Sequence, residues 1–151
     1  MPELPRHLQR YPTGTARRAL AARFNLPYDV HDQDWEWQIA DPAYFSSWLS
    51  TYEGCDLSED ERFSLGEMLV QCVEDLANER PHEAVDDFPE WVAIANVLRG
   101  RPRLHASTIF YWSIFDESDE ECLFRVSLSM RDLWRELERS LLDGATGGER
   151  M

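Results

Sequence analysis

The chain has 151 residues, with 29 Asp and Glu against 15 basic residues, all of them Arg, and a formal net charge of -14. Chains this acidic are often disordered, but 12% aromatic content with six Trp supplies a hydrophobic core. The length fits one domain burying about 68–70% of its extended-chain surface, and a negative field of this size repels phosphate at close range, so that the Arg-rich start, which could contact nucleic acid, is expected to fold back on the acidic body instead. No apolar run approaches the ~20 residues of a membrane span and no apolar leader is present, so a cytoplasmic location is expected.

Residues 1–28 hold Arg6, Arg10, Arg17, Arg18 and Arg23 against Glu3 alone. This basic segment is expected to pack on an acidic globular body, 29–142, followed by a flexible Gly-rich tail, 143–151. Thr15 is a cap for a short helix ending near Asn25, before Leu26-Pro27. Asp41-Pro42 places Asp at N-cap and Pro at N1 of a helix with Tyr44, Phe45, Trp48, Leu49 and Tyr52 at 3–4 spacing, stopped by Gly54. Ser58 with Glu61 forms a capping box for a helix burying Leu65, Met68, Leu69, Cys72 and Leu76. Pro89 opens a helix carrying Trp91, Ile94, Ala95 and Leu98, ended by Gly100 and Pro102.

From Cys122 to Ser129 the pattern alternates, which is strand periodicity. Thr108 to Phe115 is β-branched and aromatic and would be its partner, with Asp116–Glu121 as the hairpin loop. A buried helix over 104–115 is the alternative reading. The last helix, from about Ser129 to Leu142, carries Met130, Leu133, Trp134, Leu137 and Leu141 on one stripe. The expected fold is mainly α (α+β): a single helical domain of four to five helices with one β-hairpin near 108–128.

Signs of chemistry are sparse. His7, His31, His82 and His105 form no HxxxH or HExxH and no zinc spacing with Cys, and no GxSxG or P-loop occurs. No catalytic residue, metal or cofactor is therefore assigned, and the protein is not expected to be an enzyme. The odd count of cysteines points to free thiols, with Cys72 and Cys122 buried among apolar neighbours.

Two segments are suited to binding. The first, around Asp29, Asp32, Asp34, Trp35, Glu36 and Trp37, sets large aromatics among acids, the anatomy of an interface anchor with a polar rim. In an extended segment Trp35 and Trp37 would face one side. The second is the acidic run Asp116, Glu117, Asp119, Glu120 and Glu121, suited to meeting Arg or Lys on a basic partner.

The succession LPYDVHDQDWEWQIADPAYFSSWLSTYE, LSEDERFSLGEMLVQCVEDL and LHASTIFYWSIFDESDEECLFRVSLSMRDLW, over about residues 26–135, resembles small acidic bacterial immunity proteins of polymorphic and contact-dependent toxin systems. The resemblance implies a protein that binds and neutralises a cognate, basic toxin domain. It carries no residue roles with it. The residues by themselves point to a monomer that binds neither nucleic acid nor membrane. The competing readings are a small cytoplasmic adaptor, or a hydrolase using His31, His105 and nearby acids.

Overall fold

The computed structural model describes residues 2–149, with side chains through Leu142; the expected flexible tail over 143–151 lies outside the described side chains. Seven α-helices and no strand occur among the described residues. The chain divides into two compact units, Arg10–Glu83 and Met1–Gln9 with Ala84–Met151. This division follows packing, whereas the segments 1–28, 29–142 and 143–151 follow composition.

In the unit Arg10–Glu83, helices α1 (Gly14–Phe24), α2 (Trp35–Ile39) and α3 (Phe45–Gly54) all pack on α4 (Glu59–Glu79). Thr13, not Thr15, caps α1: its side chain accepts from the Ala16 N–H, and Asn25 closes the helix in the left-handed region. Asn tolerates that conformation because its short polar side chain bonds locally. Asp41 accepts from the Ala43 N–H, and Pro42–Tyr44 forms a 3-10 turn that leads into α3. The capping box of α4 is complete, with Ser58 Oγ accepting from the Glu61 N–H and Glu61 accepting from the Ser58 N–H. Phe63–Val70 is buried without a break, so this stretch of α4 has no solvent face. Leu65, Met68, Leu69 and Cys72 are buried as their spacing requires, while Leu76 is half-buried. Arg10, from the basic segment, pairs with Asp60 at 2.9 Å in the first turn of α4.

In the other unit, α5 (Pro89–Gly100), α6 (Pro102–Ser113) and α7 (Ser127–Glu149) pack together, with α6 against α7 the principal pair. Trp91, Ile94, Ala95 and Leu98 of α5 are buried, as are Met130, Leu133, Trp134, Leu137 and Leu141 of α7. Arg99 of α5 and Glu136 of α7 form a half-exposed pair at 2.5 Å. The guanidinium holds the Glu136 carboxyl below the usual carboxylate range, but a screened pair of this kind contributes at most about 1 kcal/mol.

The expected β-hairpin near 108–128 does not form, and the helices outnumber the expected four to five. Residues 104–113 belong to α6. Its buried residues Leu104, His105, Thr108, Ile109 and Trp112 recur at helical spacing. Pro102 at N1 fixes the start of this helix. Burial at a 3.6-residue period thus overrides the β propensity of Thr108 and Ile109. The alternation from Cys122 to Ser129 is not strand pleating. It straddles a 3-10 turn (Glu120–Cys122), a short irregular stretch and the first turn of α7.

All three cysteines are free. Cys72 is buried, and desolvation pushes its thiol up to about 12. Cys122 is exposed, contrary to its apolar sequence surroundings, because 116–122 is a surface loop. The thiolate is the reactive form, so alkylation of the native protein should modify Cys122 first and spare Cys72 until the chain unfolds. Mass mapping of iodoacetamide adducts with and without denaturant tests this, and early labelling of Cys72 would contradict the placement of α4.

Candidate functional site

The Trp–acid segment is held by one buried ion pair. Arg17 on α1 makes a two-pronged contact with Glu36 on α2: Nη2 to Oε1 at 2.6 Å and Nε to Oε2 at 2.9 Å. The side chains are 11% and 3% exposed. Ser64 Oγ on α4 donates to the same Oε2 at 2.9 Å. The remaining Arg17 donors reach the Asp32 and Gln33 carbonyls at 2.7 and 2.8 Å. The bond to Glu36 is the main cause of the raised Arg17 pKa, opposed by burial. A planar fork suits this geometry, since it spans a carboxylate and two carbonyls at once.

Within the segment, Trp35 and Trp37 do not face one side, because α2 is a helix. Trp35 is 1% exposed; its Nε1 donates to the Pro27 carbonyl at 2.8 Å and its ring meets Tyr28 edge-on. Trp37 is half-buried, and its Nε1 donates to Glu67 Oε2 at 2.9 Å. Glu36 is buried in the ion pair. These three side chains build the scaffold. Asp32 is half-buried and accepts from the Asp29 N–H, while Asp29 accepts from the His31 N–H. Asp29 and Asp34 are exposed, beside an exposed Val30.

The second acidic segment is the loop between α6 and α7. Asp116, Asp119, Glu120 and Glu121 are exposed and Glu117 is half-buried. Two of the five carboxylates are used internally: Glu117 Oε1 accepts from the Asp119 N–H, and Asp119 Oδ1 accepts from the Glu121 N–H, each at 3.0 Å. Asp116, Glu120 and Glu121 are the carboxylates left to face a partner. Just after the loop, Phe124 packs on Trp112 at 4.6 Å and lies beside the ring of Tyr111 at 6.3 Å. Tyr111 is 46% exposed.

Arg17, Tyr111 and Arg131, whose guanidinium donates to the Ser113, Ile114 and Glu117 carbonyls at the start of the acidic loop, are not apparent as site residues from the sequence. Arg17 lies in the basic N-terminal stretch, nineteen residues from Glu36, with no local signal joining them. Arg131 reads as part of a solvated face. Tyr111 reads as a strand residue, although on a helix it falls outside the buried set Leu104, His105, Thr108, Ile109 and Trp112.

Among the described residues no group of three or more His, Cys, Asp or Glu is placed to hold a metal ion. His31 is exposed in one unit, and His105 is fully buried in the other. No helix among the described residues is long and apolar enough to cross a membrane.

Removing one member of a buried pair leaves the other charge uncompensated, at a cost of about 3–5 kcal/mol. Arg17→Ala should lower stability by that amount in denaturant titrations. Arg17→Lys should recover only part of it, since an ammonium cannot span the carboxylate and both carbonyls. Full recovery with Lys would mean that charge alone, not the fork, holds the segment.

Matches to known proteins add nothing to this geometry: no protein-family model matches the chain, and neither a curated protein nor a solved structure matches it.

Proposed function

We propose that the protein binds and neutralises a cognate bacterial toxin domain whose contact surface is basic. The observation that carries this reading is the α6–α7 loop, where Asp116, Glu120 and Glu121 are exposed and the chain runs on to Phe124, whose ring lies 6.3 Å from that of the half-exposed Tyr111. Exposed carboxylates together with an exposed aromatic provide long-range attraction and an apolar contact that water leaves on binding. The net charge of -14 extends the attraction over the whole molecule. The same field disfavours nucleic acid and self-association, so the working state is a monomer until it meets its partner. A cytoplasmic setting follows from this role.

The adaptor reading has no feature that separates it from toxin neutralisation. A hydrolase built on His105 is disfavoured by the complete burial of that side chain.

Capture at low salt, followed by co-expression of the captured domain with this protein, tests the proposal. A basic toxin domain should bind, and growth of the expressing cells should be restored. A double reversal, Glu120→Arg with Glu121→Arg, should slow association by roughly 10-fold or more at low ionic strength. The difference should shrink in high salt as screening shortens the field. This pair is preferable to Asp119, whose carboxylate shapes the loop. Failure to restore growth, or an association rate indifferent to the reversal, would overturn the proposal.

A further inference from the structure

The acidic loop begins with an unusual residue. Ile114, the C-cap of α6, is left-handed, with φ 44° and ψ 59°. A β-branched side chain is a genuine outlier there, because its Cβ crowds the backbone. A strained conformation persists only when its surroundings over-determine it.

Those surroundings centre on Arg131 of α7. Its Nε donates to the Ser113 carbonyl at 2.7 Å, and its Nη2 donates to the Ile114 and Glu117 carbonyls at 2.6 and 2.9 Å. The guanidinium also lies 5.7 Å from the centroid of the Phe115 ring. Phe115 in turn meets Trp134, one helical turn beyond Arg131, and Phe110 of α6. One side chain therefore takes carbonyls before, at and after the left-handed residue. A cation at the C-terminus of α6 also opposes the negative end of its dipole. Downstream, the Glu117 N–H donates to the Ile114 carbonyl, the Cys122 N–H to Asp119 and the Leu123 N–H to Glu120.

We infer that Arg131 is a positioning residue: it locks Ile114 left-handed and so presents 116–121 in a single preformed shape to the basic partner. The identity of the loop as a binding surface rests on the reading above; the locking does not. A preformed loop loses less conformational freedom on binding than one that must order at contact.

The test is amide hydrogen exchange on the full chain without a partner. In Arg131→Ala, exchange at Glu117, Glu121, Cys122 and Leu123 should accelerate by about tenfold or more, while α4 keeps its protection. Arg131→Lys keeps the charge and the fold but cannot span the carbonyls, so it should accelerate the same amides by a smaller factor. Ile114→Gly removes the strain, and Gly adopts this conformation unaided. In that background, Arg131→Ala should accelerate these amides by less than about threefold. Loop exchange unchanged in Arg131→Lys, or an equal factor in both backgrounds, would overturn the inference. Such a result leaves the toxin reading standing, because that reading is judged by growth rescue and charge reversal at Glu120 and Glu121.

Discussion

The architecture depends on arginine forks that take up backbone carbonyls at helix ends. Arg17 holds the Asp32 and Gln33 carbonyls that lead into α2. Arg62, in the first turn of α4, holds the Tyr52 and Cys55 carbonyls at the end of α3 and lies over the Tyr52 ring. Arg131 does the same for α6, beside Phe115. The last carbonyls of a helix have no partner within it. For α3 and α6 a neighbouring helix supplies one, through a group that can bond in several directions within one plane. The complete absence of Lys from the chain fits this use, since an ammonium is a compact, strongly hydrated charge without that planar reach.

This arrangement also explains how so acidic a chain folds. The carboxylates fall into three populations. Some are drawn inward and neutralised, as Glu36 is by Arg17 and Ser64. Others are placed where charge helps locally: Glu59, Asp60 and Glu61 sit in the first turn of α4, where the helix dipole favours them. The remainder, including Asp29, Asp34, Asp116, Glu120 and Glu121, stay in solvent and set the field that an approaching molecule meets.

Features coded within a few residues were legible in the sequence. Ser58 and Glu61 specify their capping box, Pro89 marks a helix start, and the stripe from Met130 to Leu141 declares the buried face of α7. The region 108–128 was misread because two local signals conflict: Thr108 and Ile109 favour strand by type, but helix by the spacing of their buried neighbours. Only packing decides between them, and the spacing from Leu104 to Trp112 carries the better clue. In the candidate site, the exposed acids were legible, but their support was not. Glu36 is indistinguishable by type from the solvated acids around it until Arg17 arrives from another helix.

A guanidinium keeps its proton across any pH at which a protein is ordinarily handled. The ties it makes to uncharged carbonyls therefore do not titrate at either end of that range. Acidification strips charge from the surface of this molecule while the arginine–carbonyl ties beneath it keep both partners in their bonding forms. Surface charge and carbonyl ties consequently answer to different chemistry: proton activity governs the former and leaves the latter intact.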